Sequence, residues 1–223
     1  MKGYSDELYP EVVGEYDTVR KLLEGFSISR FGDGELKIVL GAGYVREPEN
    51  PKLAAEMHNI ITGGGAPDCL VGIWTKDPRI PKFESQMPYR ARFMRVLRPS
   101  DVRYYSSTIT RPDAAPWIMT SDYSRMVEGL WRGRNAVVVC EHKGSMHGTV
   151  KMRARKAWHV ECPHREAYAQ IDRLEEEVLR WRPDIAILSA GPTATCLANR
   201  LAARGLQAID LGSAGRWLRQ LLS

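Results

Sequence analysis

The sequence predicts an α/β fold, a Rossmann-like and mainly parallel sheet with helices on both faces. Short apolar segments, among them "CLVGIW", "NAVVVCE" and "DIAILSA", alternate with longer segments of helical period. Strands that are apolar on both faces are typical of parallel sheets covered by helices on each side. With 223 residues, of which 43% are hydrophobic, the chain is expected to form a single domain over residues 1–223.

The first half of the chain is predicted from apolar periodicity and from the residues that end each element. A helical stripe over 6–24 ends at Gly25, and a short helix is predicted over 35–40. Pro51 begins the helix 52–62, which three glycines end. The remaining predicted elements are strands at 26–30, 69–74 and 102–109, a loop at 75–88, and helices at 89–97 and 121–131, the last with Ser121 as its N-cap.

The second half has the clearer pattern. Continuous apolar runs predict strands, and "EAYAQIDRLEEEVLRWR" has a strong helical period. In "PTATCLANRLAARG", Pro192 lies in the first turn of a helix and Gly205 lies at its end. The predicted strands are 135–141, 157–162, 184–190 and 207–212, the helices are 166–182, 192–205 and 216–222, and "CEHKGSMHG", 140–148, forms a glycine-flanked loop.

Cysteine usage and the apolar runs indicate the compartment. The cysteines include no C-x-x-C pair, which predicts buried free thiols rather than a structural metal site. They are Cys69, Cys140, Cys162 and Cys196. No apolar run approaches the roughly 18–20 residues of a membrane helix, and "MKGYSDELYP" lacks the apolar centre of a signal peptide. We therefore expect a cytoplasmic protein with no membrane partner.

The net charge is +5, and the basic residues are concentrated in two segments. Residues 76–111 hold nine Lys and Arg against three Asp and Glu, and residues 132–165 hold eight against two. Segments of this kind attract polyanions or phosphorylated ligands. Solvated faces without a ligand are the alternative interpretation.

Asp33 and Glu35, separated by Gly34, follow the first predicted strand. Ligands of open α/β sheets gather at the carboxyl ends of strands. Two carboxylates one residue apart can bind the same Mg²⁺ or Mn²⁺, cations that commonly share their oxygen ligands between protein carboxylates and substrate phosphates. In the alternative interpretation, Asp33 is the N-cap of a helix and Glu35 stabilises its first turn.

Two further strand ends carry polar groups. In "SAGPTAT", the turn Gly191-Pro192 leads into a helix whose first N–H groups, with the hydroxyls of Thr193 and Thr195, would face a phosphate. A turn without a ligand is equally consistent with this pattern. In "CEHKGSMHG", Lys143 is a candidate to neutralise a diphosphate. The candidate general bases there are Glu141, His142 and His147.

Two motifs resemble the ends of the GT-D-type glycosyltransferases, a bacterial family. They are "ISRFGDGEL" and "GPTATCLANRLAARGLQAIDLG", in that order. The resemblance implies a Rossmann-like sheet, a nucleotide-sugar donor and a divalent metal, Mn²⁺ or Mg²⁺, on an Asp-x-Glu motif that Asp33 and Glu35 match. By contrast, G-x-S-x-G, a Walker phosphate loop and H-E-x-x-H are missing, which argues against serine hydrolases, P-loop kinases and zinc proteases.

The later family segments match the turn at Gly191 and the strand end at Asp210. The family often continues with a histidine and acidic residues, whereas this chain has "SAGRW" after Gly212. The resemblance implies that a sugar moves from a nucleotide sugar, with UDP the expected nucleotide, to an acceptor hydroxyl. From their place on the loop after the strand, Glu141 or His142 is the expected base. The expected donor-binding residues are Arg30, Gly32, Lys143, Gly191, Pro192, Thr193 and Asp210.

Several alternatives remain open at the level of sequence. The acceptor is either a nucleic acid, such as a hydroxymethylated DNA base, contacted by 76–111 and 132–165, or a protein or glycan. A non-catalytic module that binds nucleotides or polyanions is a second alternative, and a phosphohydrolase or nucleotidyltransferase is a third. The intact Asp-Gly-Glu turn favours an enzyme. The sequence selects neither the sugar nor an oligomeric state.

Overall fold

The computed structural model describes residues 9–75, 94–98, 101–142, 146–212 and 214–222. These residues contain a sheet of eight strands in which every neighbouring pair is parallel. The strands are β1 (Val12–Val13), β2 (Ser27–Arg30), β3 (Cys69–Ile73), β4 (Tyr104–Ser106), β5 (Asn135–Cys140), β6 (Lys156–Glu161), β7 (Ile185–Ser189) and β8 (Ala208–Asp210). Their order in the sheet is β1-β4-β3-β2-β8-β7-β5-β6. The predicted α/β class with a parallel sheet is confirmed.

Helices of the described residues cover both faces of this sheet. They are α1 (Glu15–Leu23), α2 (Asp33–Val39), α3 (Pro51–Asn59), α4 (Ser121–Gly129), α5 (Met146–Lys151), α6 (Ile171–Arg180), α7 (Thr193–Ala203) and α8 (Ala214–Leu221). A π-helical turn, Ile60–Gly64, extends α3, and 3₁₀ turns at Pro116–Ile118 and Ala167–Gln170 precede α4 and α6.

Alternate residues of the central strands point to opposite faces. In β5, Val137 and Val139 belong to the core that α2, α3, α6 and α7 cover. Ala136 and Val138 belong to the core under α1, α4, α5 and α8. All four side chains are fully buried, and burial of a valine side chain contributes about 1.5–3 kcal/mol. Burial on both faces explains why the strands are continuous apolar runs in the sequence.

The neighbouring strands β2 and β8 continue into helices on opposite faces of the sheet, α2 and α8. Such a switch point opens a crevice at the carboxyl ends of the strands. The seam between the two strands has a single paired residue on each side. Side chains complete it: the Ser27 hydroxyl accepts from the Ala208 N–H at 2.9 Å, and the Asp210 carboxylate accepts from the Arg30 N–H at 3.2 Å.

The N-terminal prediction was partly wrong, because Val12 and Val13 form β1 and are not part of a helix. They pair with two tyrosines of β4, and Gly14 separates them from α1. Pairing with the sheet edge therefore overrides the helical spacing of the apolar residues. The beginning of the predicted helix, residues 6–8, lies outside the described residues.

The loop predicted for 140–148 was also partly wrong. Its C-terminal part belongs to α5, which buries Met146 and Val150 against the sheet. The N-cap of α4 is Thr120 rather than Ser121, since the Thr120 hydroxyl accepts from a backbone N–H of the first turn. The predicted strand 102–109 is limited to β4, and the predicted helix 166–182 begins as a 3₁₀ turn before α6. Most of the predicted loop 75–88 and the first part of the predicted helix 89–97 lie in residues 76–93, which are outside the described part. Residues 94–96, also in the predicted helix, form a turn.

The four cysteines are buried and free, as predicted. Burial raises the pKa of the Cys69 and Cys162 thiols to about 12, so these thiols stay protonated and unreactive at neutral pH. Within the described ranges, no helix combines the length and the apolar character needed to cross a membrane.

Candidate functional site

A cavity of about 340 Å³ lies at the carboxyl end of the sheet, beside the switch point between β2 and β8. Residues that follow β2, β3, β4, β7 and β8 converge on it. Its lining is Arg30, Gly32, Asp33, Gly34, Glu35, Tyr44, Arg46, Trp74, Ser107, Thr108, Arg111, Gly191, Pro192, Asp210 and Gly212. The location agrees with the general rule for ligands of open α/β sheets.

The Asp-Gly-Glu turn forms the start of α2. Gly32 is the N-cap, and the Glu35 carboxylate accepts a hydrogen bond from the Gly32 N–H at 2.8 Å. Asp33 is therefore the first helical residue and is exposed at the cavity. The predicted alternative is therefore half correct. Asp33 is not the N-cap, but Glu35 does stabilise the first turn.

Two carboxylates come close together in the interior of the site. The pKa of Glu35 is raised to about 7 by burial and by the negative charge of Asp210. Burial also raises the pKa of Asp210, although Arg30 opposes that shift. The Asp210 carboxylate accepts a hydrogen bond from the Gly212 N–H at 2.9 Å, which fixes its orientation. Glu35 and Asp210 thus oppose each other's ionisation in a buried place, and a cation bound there would relieve the repulsion.

The carboxylate oxygens at the cavity suit a divalent metal whose remaining ligands come from water and the substrate. Among the described residues, no group of three or more His, Cys, Asp and Glu side chains is arranged to bind a metal ion. Asp33 and Glu35 would supply two carboxylate ligands, a number typical of Mg²⁺ and Mn²⁺ sites completed by water and substrate phosphates. The raised pKa of Glu35 is consistent with this, because burial and the charge of Asp210 outweigh the positive charge of Arg30.

Two buried hydrogen-bond donors at the cavity have no acceptor among the described residues. They are the Arg30 Nε and the Trp74 Nε1. Arg30 is 9% exposed, and its Nη1 donates to the Thr110 hydroxyl at 3.0 Å. Arg30 is therefore a buried residue of the site and not part of a surface salt bridge. Since buried polar groups are almost always paired, two unpaired donors on residues that line one cavity are consistent with a ligand that brings acceptor atoms.

The turn after β7 differs from its prediction. Gly191, with φ +56°, and Pro192 line the cavity. The Thr193 hydroxyl instead donates to the Glu47 carboxylate at 2.7 Å, and the Thr195 hydroxyl donates to a backbone carbonyl of β2 at 2.8 Å. Both hydroxyls are fully buried and used within the protein, so the expectation that they face a phosphate was wrong. The Ala194 N–H likewise donates to a carbonyl of the same turn.

The structure does not bring the predicted bases into the cavity. Glu141 lies beside it and contacts His164 at 2.7 Å and His142 at 3.3 Å. The hydrogen bond from His164 lowers the pKa of Glu141, which makes that carboxylate a weak base. His142 is mostly exposed, and Lys143 lies outside the described residues. The third candidate, His147, is buried in α5, with its ring Nε2 3.1 Å from the Ala157 carbonyl oxygen.

Sequence reasoning missed about half of the cavity lining. Ser107 and Thr108 follow β4, and Trp74 follows β3, so the strand-end rule would have found them had it been applied to these two strands. Tyr44 and Arg46 come from the connection between α2 and α3. No local pattern in the sequence places that connection over the cavity.

The described cations of the two basic segments lie at both ends of the sheet. Arg134 precedes β5 and Lys156 begins β6, so these cations of 132–165 lie at the amino end of the sheet, opposite the cavity. Arg132 and Arg153 both pair with Glu128. Of the segment 76–111, residues 76–93 are outside the described part of the chain. Arg111 does line the cavity, and Asp113 binds it through two hydrogen bonds of 2.7 and 2.8 Å.

Comparison with known proteins agrees with this architecture. A family model described as glycosyltransferase GT-D fold matches residues 28–216. The "Probable glycosyl transferase Gly" of Streptococcus gordonii is 26% identical over 204 residues, 86% of this chain and 30% of that protein. "Glycosyltransferase GlyD" of Streptococcus pneumoniae serotype 4 is 26% identical over 216 residues, 91% of this chain and 26% of that protein. This chain thus spans less than a third of either curated relative.

Solved structures show the same fold. The structure of a new glycosyltransferase (DUF1792) from Streptococcus sanguinis has a TM-score of 0.81 at 25% identity and covers 95% of this chain and 85% of its own. A second structure of domain of unknown function 1792, described as having a distinct glycosyltransferase fold, has a TM-score of 0.81 at 22% identity and covers 96% and 83%. The chain belongs to the GT-D family of glycosyltransferases.

Proposed function

We propose that this chain transfers a sugar from a nucleotide sugar, with UDP the expected nucleotide, to an acceptor hydroxyl. Asp33 and Glu35 would hold Mn²⁺ or Mg²⁺. The observation that carries the proposal is the pair of unpartnered buried donors, Arg30 Nε and Trp74 Nε1, in the cavity that also contains the two carboxylates. Anion-binding donors beside a carboxylate pair are what a metal-bound diphosphate requires.

Each group has a role that follows from its position. Arg30 and Trp74 would donate to phosphate oxygens and hold the leaving nucleoside diphosphate, an electrostatic contribution that is large in a partly desolvated cavity. The metal, when bound, supplies Lewis-acid stabilisation of that leaving group. The glycines at 191 and 212, both with positive φ, keep side chains out of the cavity floor. Asp210 orients Arg30 through the backbone of β2.

The acceptor that fits these observations is a hydroxyl of a protein or glycan. A duplex nucleic acid would need free cations around the cavity mouth. Arg134 and Lys156 lie at the opposite end of the sheet, and Arg111 is already paired with Asp113. The Ser107 hydroxyl on the cavity wall suits a hydrogen bond to a sugar or peptide acceptor, whereas the Thr108 hydroxyl already donates to Glu15.

A donor screen by thermal unfolding tests the proposal. Several nucleotide sugars are added with Mn²⁺, with Mg²⁺, or with chelator. A donor at about 100 times its Kd should raise the free energy of unfolding by about 2.7 kcal/mol. This stabilisation should disappear with chelator and in Asp33→Ala. Asp17→Ala is the matched control, since Asp17 lies in the first turn of α1 as Asp33 does in α2. No stabilisation by any donor would contradict the proposal.

Product analysis separates sugar transfer from the alternatives. A glycosyltransferase releases the intact nucleoside diphosphate, because the bond between the anomeric carbon and the phosphate oxygen is the one that breaks. A phosphohydrolase would release a nucleoside monophosphate and a sugar phosphate, and a nucleotidyltransferase would attach the nucleoside monophosphate to an acceptor and release the sugar phosphate. A binding module would release nothing while still showing the thermal shift. Chromatography of the nucleotide products after incubation with the stabilising donor distinguishes these three outcomes.

A further inference from the structure

The connection between α2 and α3 contains a tight turn, Tyr44 to Glu47, at the mouth of the cavity. The Tyr44 N–H donates to the Glu47 carbonyl at 2.7 Å, and the Glu47 N–H donates to the Tyr44 carbonyl at 3.0 Å. Tyr44 and Arg46 line the cavity. Val45, between them, is 78% exposed, whereas Glu47 is 2% exposed. The turn therefore presents two side chains to the cavity and one to the protein interior.

Glu47 fixes the turn to the rest of the site. Its Oε1 accepts from the Thr193 hydroxyl at 2.7 Å and from the Tyr168 N–H at 3.1 Å. Thr193 begins α7, directly after the Gly191-Pro192 turn on the cavity wall. A buried carboxylate is costly unless it is hydrogen-bonded. Its presence at this position indicates that the link between the turn and α7 is needed.

The turn spans the two segments that the proposed function assigns to metal and phosphate. The Tyr44 ring packs on Gly34, where a Cβ atom would lie 3.2 Å from three ring carbons. The Arg46 Cδ lies 3.8 Å from the position a Cβ would take on Gly191. Arg46 also faces Glu141, but at 3.7 Å, with 44% of the arginine side chain exposed. Such an ion pair contributes little, so Arg46 can turn toward a ligand at low cost.

We propose that the turn 44–47 is a clamp for the nucleotide-sugar donor. In this clamp Arg46 binds the diphosphate, Tyr44 closes the cavity over the Asp-Gly-Glu turn, and Glu47 is a positioning residue. The inference rests on the proposed function. Arginine is well suited to this role, because its planar guanidinium can bind two phosphate oxygens at once. Val45 takes no part, since it points to solvent.

Titration calorimetry with UDP and Mn²⁺ tests the clamp. Arg46→Ala should raise the Kd for UDP about tenfold or more, as expected for loss of hydrogen bonds from a charged group. Glu47→Ala should raise it comparably, because the turn is released. Glu47→Gln should restore binding, since a glutamine Oε1 can accept both hydrogen bonds that Glu47 Oε1 accepts. Val45→Ser, in the same turn, is the matched control and should leave the Kd unchanged.

A double variant separates positioning from general destabilisation. If Glu47 acts through Arg46, adding Arg46→Ala to Glu47→Ala should raise the Kd little beyond either single change. If the two substitutions multiply their separate effects on the Kd, or if Arg46→Ala leaves the Kd unchanged, the clamp is overturned. Binding of UDP by the wild type would still uphold the proposed function. Failure of the wild type to bind UDP in the presence of Mn²⁺ would overturn both. The Arg46→Ala result stands even if Glu47→Ala does not fold.

Discussion

Replacement of Glu15 by alanine should destabilise the protein strongly, although Glu15 lies outside the cavity. Its carboxylate is 4% exposed and accepts four hydrogen bonds. The donors are the hydroxyls of Thr75 (3.2 Å), Ser106 (2.8 Å) and Thr108 (2.7 Å) and the indole N–H of Trp117 (2.9 Å). Hydrogen bonds to a charged group contribute about 1.5–3 kcal/mol each. Because the hydroxyls can rotate to other acceptors, we expect a loss of about 3–5 kcal/mol rather than the full sum.

Glu15→Gln gives a graded second measurement. Oε1 of Glu15 accepts the three hydroxyls, and Oε2 accepts the Trp117 indole. A glutamine oxygen in the Oε1 position keeps the hydroxyls but turns an amide N–H toward the indole N–H. The expected loss is about 1.5–3 kcal/mol, the value of one charge-assisted hydrogen bond. Trp117→Phe removes the same bond from the other partner and should lower stability by a similar amount.

Urea unfolding measures these losses as a shift of the midpoint with an unchanged m-value. Asp17→Ala is the control, because Asp17 is 64% exposed and its pair with Arg20 should contribute no more than about 1 kcal/mol. A loss below about 1 kcal/mol in Glu15→Ala would refute the reasoning. So would a Glu15→Gln variant less stable than Glu15→Ala. Either result would mean that the four donors find equivalent partners without the carboxylate.

Three further predictions concern the site itself. Gly34→Ala should weaken UDP binding, because the new methyl group displaces the Tyr44 ring. It should not lower the free energy of unfolding, since alanine is about 0.5–1 kcal/mol more favourable than glycine in a helix. Gly148→Ala in α5, where no atom lies within 4 Å of the new methyl group, is the control and should leave UDP binding unchanged. Trp74→Phe keeps an aromatic ring but removes the unpartnered N–H and part of the buried indole, so it should raise the Kd for UDP at the cost of a small loss of stability, as calorimetry and urea unfolding would show. Because the pKa of Glu35 is raised to about 7, the metal-free protein should lose stability as the pH rises from about 4.5 through 7. In the presence of chelator, Glu35→Gln should flatten this dependence of stability on pH, and it should also abolish stabilisation by Mn²⁺. A variant with the same pH profile as the wild type would show that Glu35 titrates normally.

The fold was predictable because its signal is local and repeated. Each buried strand is a run such as "NAVVVCE", and each covering helix has apolar residues at helical spacing. The errors arise where a distant partner decides the local structure. Val12 and Val13 form a strand only because β4 pairs with them. The start of α5 carries no capping or periodic pattern, and burial of Met146 and Val150 against the sheet determines it.

The site was predictable to the extent that it lies at strand ends. Asp33 and Gly191 each follow a strand predicted from sequence, Asp210 lies within another, and the sheet order brings them together. Glu141 also follows a strand, but β5 lies two strands away from β8, so its side chain falls beside the cavity. Tyr44 enters from a connection whose path depends on the contacts of Glu47, which no spacing in the sequence reveals.

The position of β8 has a consequence for how the molecule assembles. This strand is the last of the described strands along the chain, yet it lies in the middle of the sheet, between β2 and β7. It pairs with β7 at three residues but with β2 only at Ile28 and Ile209. Until β8 inserts, β1-β4-β3-β2 and β7-β5-β6 are two separate half-sheets, and joining them requires contacts between residues about 180 positions apart. We therefore expect β8 docking to be a late folding step, which pulse-labelled hydrogen exchange would show as delayed protection of the Ile209 amide. In a chain still emerging from the ribosome, the cavity would stay incomplete until β8 had closed the gap.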